Sequence, residues 1–202
     1  MSIALSHVRT VAEAYVRDFT TILTALDIDA IERVVASVRA ARDEGATVFI
    51  AGNGGSAATA SHLANDLGKA TKRSGRGAIR VMSLCDNASW MTALANDEGY
   101  ERVFSGQLEN FASPGDLLIV ISASGNSPNL LDAVALAKAR GLRTIGLLGF
   151  DGGALLDMTD DAVHVATGLG EYGLVETAHS LVADVITSCL MHDVAPRGDA
   201  GP

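Results

Sequence analysis

Residues 47 to 67 read TVFIAGNGGSAATASHLANDL. A short β-branched and aliphatic run ends in a Gly/Asn/Ser turn and helical spacing begins at once, which predicts strand, tight loop and helix in that order. The pattern returns in DLLIVISASGNSPNLLDAVALAKAR, residues 116 to 140. Two such units, whose strands are apolar throughout rather than alternating, predict parallel strands covered by helices on both faces.

Outward from these units, apolar runs closed by Gly, Ser or Asn give five candidate strands: Thr47 to Ala51, Ala78 to Leu84, Leu117 to Ser122, Thr144 to Leu148 and Ala162 to Val165. Helical stretches lie between and after them, at 57 to 67, 90 to 95, 129 to 140 and 174 to 191. Ahead of the first strand, Val8, Val11, Ala12, Tyr15, Phe19, Ile22 and Leu23 recur at helical spacing, and a second amphipathic segment runs from Asp29 to Arg42. The expected fold class is α/β, a doubly wound three-layer sandwich around a five-stranded parallel sheet. Residues 1 to 194 are expected to form one domain, with 1 to 44 as a helical segment packed on it or on a neighbouring subunit. The Pro/Gly-rich end, APRGDAGP at 195 to 202, reads as a disordered tail whose RGD carries no function.

Bulk composition narrows the partners. A chain of 202 residues that is 48% hydrophobic can bury a core without disulfides or metal staples. Its net charge of −9 argues against a nucleic acid ligand, which is held by clustered Lys and Arg. Cys85 and Cys189 lack CxxC spacing, so neither a disulfide framework nor a thiolate zinc site is expected, and a reducing compartment fits. The first 17 residues do not read as an export signal, and no apolar stretch nears the roughly 20 residues of a membrane span. A cytoplasmic location without membrane contact is the expectation. Cys85, Cys189 and Trp90 read as packing residues and Glu171 as a surface charge.

The chemistry concentrates in the two loops. Ala51 to Ala57 (AGNGGSA) and Ser122 to Pro128 (SASGNSP) each follow a strand and open a helix, so backbone N–H groups and the positive helix end face whatever sits there. Gly54 and Gly55 allow close backbone approach, and Ser56, Ser122, Ser124 and Ser127 add hydroxyl donors. A tight turn with an N-cap would use the same residues, but two such loops point to an anion. Neither loop contains the G-K-[ST] of a nucleotide triphosphate site, and GNGGSA lacks the third glycine of a dinucleotide fingerprint. The expected ligand is a phosphomonoester, with no nucleotide cofactor.

These residues resemble the sugar isomerase (SIS) domain family, most closely its phosphoheptose isomerase branch. Four segments carry the likeness: AGNGGSAATASHLANDL (51 to 67), ALANDEGY (93 to 100), PGDLLIVISASGNSPNLLDAVALAKARGL (114 to 142) and GFDGG (149 to 153). By that resemblance Ser56, Ser122, Ser124 and Ser127 match phosphate-binding serines, and Asn53 and Asp97 match sugar-contacting positions. It implies a homotetramer with sites between subunits. It also implies ketose–aldose isomerisation of sedoheptulose 7-phosphate or a related phosphosugar through an enediol, which needs a proton-moving group and something to steady an oxyanion. A second reading is a non-catalytic SIS module that binds a sugar phosphate or a partner protein.

His62 and Asp66 stand at i and i+4 on the helix after the first loop, a spacing that serves a base with its positioning partner or two metal ligands. The family places His and Glu there. Glu176 and Asp184 are eight residues apart, two turns of the last helix, where the family has Gln and His. His179, one turn from Glu176, is the candidate substitute for that missing His. Ala123 stands where the family has Thr, and Tyr172 to Glu176 replaces a more polar segment. The catalytic candidates are therefore Asp66, His179 and Asp184. If His62, Asp66, Glu176 and Asp184 converge, three carboxylates repel unless a divalent cation sits among them or one acid keeps its proton; a cation is the expectation, zinc first among zinc, manganese and similar ions, with Glu176 also lining the substrate pocket.

Overall fold

In a computed structural model that describes residues 5–193, each sequence-predicted strand lies in a single sheet. The expected tail at 195 to 202 lies outside the described residues. Helices α1 (Leu5–Thr24) and α2 (Ile28–Glu44) precede β1 (Thr47–Gly52) and α3 (Gly55–Lys69), and β2 (Arg80–Ser83) leads into α4 (Ala88–Asp97) and α5 (Ser105–Phe111). Then come β3 (Leu117–Ser122), α6 (Pro128–Ala139), β4 (Arg143–Leu148), α7 (Gly153–Met158), β5 (Asp161–His164) and α8 (Tyr172–His192). The sheet is parallel throughout, in the order β2-β1-β3-β4-β5.

Alternation within β1 and β3 builds two cores. Val48, Ile50, Leu117, Ile119 and Ile121 pack beneath α2, α3 and α8, while Phe49, Ala51, Leu118 and Val120 face α5 and α6 on the other side. Both strands are buried on both faces, which is why 48 to 51 and 117 to 121 are apolar without a break. The doubly wound class expected from the sequence is the one observed.

The N-terminal segment divides in two. Asp27 caps α2 by accepting from the Ala30 N–H at 3.0 Å, and Gly45 closes it in the left-handed region at φ 71°. Ala30, Ile31, Val34, Val35 and Val38 then join the core. Helix α1 lies against α8 instead and leaves Val8, Val11 and Val16 exposed. By length and composition α8 reaches the measure of a membrane-crossing helix, where the sequence reading expected no such stretch. Half of that window is buried, with Val182, Ala183, Ile186 and Leu190 in the core, so the apolarity has a packing use.

The end of α8 is tied down by charge. Asp193 accepts from Arg39 Nε at 2.9 Å and Arg42 Nη2 at 2.8 Å, and Arg76 Nε lies 3.4 Å away. The Arg42 side chain is 1% exposed, so this carboxylate compensates a charge taken out of water.

Candidate active site

β1 and β3 are hydrogen-bonded neighbours with Gly52 opposite Ile121, yet the chain leaves them in opposite directions, toward β2 and toward β4. That divergence is a topological switch point, and it opens a crevice beyond the strands' carboxyl ends. Both Gly/Ser/Asn loops sit there because their strands end there.

The first loop turns through Gly54 at φ 55° and ψ −122°, a conformation closed to residues with a Cβ, before α3 begins at Gly55. Asn53 is held by reciprocal amide bonds with Asn129, each Nδ2 to the other's Oδ1 at 2.9 Å, and its Oδ1 also accepts from the Tyr100 hydroxyl at 3.1 Å. In the second loop Ser122 Oγ accepts from the Gly125 N–H at 3.0 Å, which leaves the hydroxyl proton free to donate to a ligand. The loop is braced by the turn at 149 to 153. Gly125 presses on the Gly152 carbonyl, Leu155 N–H donates to the Gly125 carbonyl at 3.0 Å, and Ala154 N–H donates to Asn126 Oδ1 at 2.9 Å. Phe150, at φ 46°, is the one non-glycine residue in the left-handed region among the described residues, and its ring meets Tyr172 edge-on at 5.0 Å.

Between the loops lies a cavity of about 140 Å³ lined by Asn53, Ser56, Ser122, Ala123, Ser124 and Ser127 and closed by Tyr172 and Glu176. Four serines and the start of α3 surround a space that contains no cationic side chain, as suits an anion bound by neutral donors. A second cavity, of about 420 Å³, adjoins it, with Tyr15, Gly55, Thr59, His62, Gly173, Glu176 and Ser180 in its walls. A further cavity, of about 840 Å³ near Trp90 and Phe111, runs along edge strand β2 away from both loops and contains none of the candidate site residues.

Beside the second cavity, His62 Nε2 stands 3.2 Å from Asp66 Oδ2, and the ligand atoms of His62, Asp66 and Asp184 all lie within 4.8 Å of one another. One imidazole and two carboxylates that leave coordination positions open are a donor set suited to a divalent cation such as zinc. Glu176, expected as a fourth ligand, stands outside this trio. Its carboxylate rests instead against Gly55, where a Cβ would lie 2.5 Å from Glu176 Cδ.

Two further expectations differ from the structure. His179, expected as a proton-transfer partner, is fully buried and lines neither cavity. Burial lowers its pKa to about 4; the Leu148 carbonyl is close by, but neither ring nitrogen makes a well-formed hydrogen bond. A step of three residues from Glu176 falls about 60° short of a full turn, and that offset points His179 into the protein rather than toward the crevice. Asp97 is exposed at the end of α4, bonded to Asn96 Nδ2 at 2.7 Å, and lines neither cavity of its own chain. The sequence reading gave Tyr15, Tyr100, Asn129 and Tyr172 no role in the site. Only the ALANDEGY and SASGNSPN runs hinted at two of these, and nothing in the sequence paired them with Asn53.

Known proteins carry the same pattern. The SIS domain model matches residues 14–149. The phosphoheptose isomerase of Pelobacter propionicus is 41% identical over 150 residues, covering 73% of this chain and 78% of its own. That of Nitratiruptor sp. is 40% identical over 143 residues, covering 71% and 75%. Among solved structures, a phosphoheptose isomerase from Neisseria gonorrhoeae aligns with TM-score 0.79 at 27% identity over 92% of this chain and 97% of that one.

Proposed function

We infer the activity from the premise that this chain belongs to the SIS domain family: it is an aldose–ketose isomerase of the phosphoheptose isomerase kind. Its substrate is sedoheptulose 7-phosphate or a close phosphosugar relative, converted to heptose 7-phosphate for nucleotide-sugar and glycan synthesis. The observation that carries the reading is the pair of serine-bearing loops on adjacent strands, closing on one small cavity beside a second, larger one.

In this reading Ser56, Ser122, Ser124 and Ser127 hold the phosphate with the N–H groups of Gly54 and Gly55, Asn53 is assigned to sugar hydroxyls in its own chain's site, and Asp97, exposed at the end of α4, is assigned to those of a neighbouring subunit's site. The clamp of Asn129 and Tyr100 on Asn53 supports its role by fixing the amide before substrate arrives. His62, Asp66 and Asp184 would hold a divalent cation, which we propose is zinc. When bound, such a cation polarises a carbonyl oxygen and steadies the negative charge that develops there. The assembly is a homotetramer in the cytoplasm whose sites lie near subunit boundaries; the exposed apolar face of α1, with Val8, Val11 and Val16, supports the association of subunits.

A discontinuous assay with sedoheptulose 7-phosphate, with and without added zinc, tests the activity; no aldose formed from any phosphorylated ketose would defeat it. Metal analysis of protein purified without chelators tests the cation, and full turnover by metal-free protein would remove it. Light scattering on the eluting protein tests the assembly, which a monomeric mass would end.

A further inference from the structure

We propose that Tyr15 is a further substrate-binding residue, its phenol hydroxyl bonding a hydroxyl of the sugar's carbon chain, an inference that rests on the isomerase reading above. Tyr15 stands on α1, ahead of the sheet, and α1 lies against α8. Its ring reaches the first turn of α8 at Gly173, where an added Cβ would lie 3.2 Å from Tyr15 Oη and 3.9 Å from Cε2. Glycine at 173 thus leaves the room that the phenol tip occupies. The N-terminal helix thereby supplies part of the wall of the cavity of about 420 Å³ that adjoins the serine loops.

Four hydroxyls line that cavity, those of Tyr15, Thr59, Thr177 and Ser180. Three have protein partners: Thr59 and Ser180 share a bond at 3.2 Å, and Thr177 donates to the Gly173 carbonyl at 2.7 Å. The Tyr15 hydroxyl has none among the described residues, and the side chain is exposed, so it can both donate to and accept from a ligand. In the same wall the Glu176 carboxylate can only accept, and His62 is turned toward Asp66. A sugar hydroxyl is donor and acceptor at once, a pairing that the phenol matches. Tyr15 borders this cavity and not the one between the serines, so its contact falls on the carbon chain and leaves the phosphate untouched.

Tyr15→Phe removes the hydroxyl and keeps the ring. It is compared with wild type in steady-state turnover of sedoheptulose 7-phosphate, calorimetric binding of inorganic phosphate, and mass by light scattering. A contact made equally in the ground and transition states raises KM and leaves kcat alone. The expected result for Y15F is a KM higher by about 3- to 10-fold, the range of a hydrogen bond between uncharged groups, with kcat and phosphate affinity within about twofold of wild type. An unchanged KM, or a phosphate affinity that falls by the same factor as KM rises, would overturn the assignment. Tyr15 also borders the apolar face of α1 that carries Val8, Val11 and Val16, so a raised KM that comes with a smaller mass would overturn it too, by giving the tyrosine to assembly. An inactive wild type defeats the isomerase reading and this inference with it, while an active wild type matched by Y15F defeats the inference alone.

Discussion

Gly55 and Glu176 occupy adjoining space so closely that a Cβ on residue 55 would stand 2.5 Å from the Glu176 carboxyl carbon. The glycine is not in the left-handed region, so helix α3 itself would accept alanine there. The conflict falls on the mobile end of the glutamate.

Gly55→Ala should therefore leave the fold intact, since alanine favours a helix over glycine by about 1 kcal/mol. The displaced Glu176 should cost about 10²-fold in turnover, the scale of an ångström-size misplacement. Steady-state kinetics set beside thermal denaturation separate the two effects; unchanged kcat would show that the carboxylate position is immaterial.

Ser124→Ala removes a hydroxyl from the wall of the small cavity and gives up the bond that this hydroxyl accepts from the Asn126 N–H at 3.3 Å. A hydrogen bond to a charged group contributes about 1.5–3 kcal/mol, so inorganic phosphate should bind roughly 10-fold more weakly or worse. KM should rise with it while kcat stays near wild type. Calorimetric titration with phosphate checks this, and unaltered affinity would exclude Ser124 from the cradle.

His179 gives stability a pH dependence of known sign. Burial, its largest influence, lowers the folded-state pKa to about 4, whereas the unfolded chain titrates near 6.5. Below about 6.5 the unfolded state takes up a proton that the folded state refuses, so stability falls as pH drops from there toward 4. Between pH 6.5 and 5 the loss should approach about 2 kcal/mol. Urea midpoints across this range should decline for wild type and flatten for His179→Gln; parallel curves would refute the account.

Asp193 acts at lower pH and through the opposite protonation state. The hydrogen bond from Arg42, with Arg39 and Arg76 nearby, holds its carboxyl below the usual carboxylate range. Its contribution is present above the unfolded value near 3.9 and disappears as pH falls through the lower folded value. Asp193→Asn should move the acid-unfolding midpoint upward. At neutral pH it should cost on the order of 1–3 kcal/mol, because buried Arg42 is left with Asp43, 3.0 Å from its Nε, as its remaining carboxylate partner. Acid titration followed by circular dichroism measures both, and superimposable wild-type and variant curves would contradict the role.

The sheet was legible because β1 and β3 are buried on both sides and so carry unbroken apolar runs, and because their turns need Gly, Ser and Asn in sequence. The short helices α5 and α7 were not, since seven and six residues carry too little periodicity to register. On α8 the limit was rotational. A helix that is apolar around most of its circumference does not reveal which polar residue meets the crevice, so His179 read as a proton-transfer candidate although it enters the core, while Glu176 enters a cavity. The Asn53, Asn129 and Tyr100 contacts join three separate elements, a relationship that spacing along the chain cannot express.

The loops that form the small cavity leave β3, the middle strand of the sheet, and β1 beside it. These strands should be the last to exchange their amide protons, so the cradle is built on the slowest-opening part of the molecule. Occupancy by an anion and resistance to global melting are then thermodynamically linked, and a sugar phosphate present at 100 times its dissociation constant would raise the unfolding free energy by about 2.7 kcal/mol.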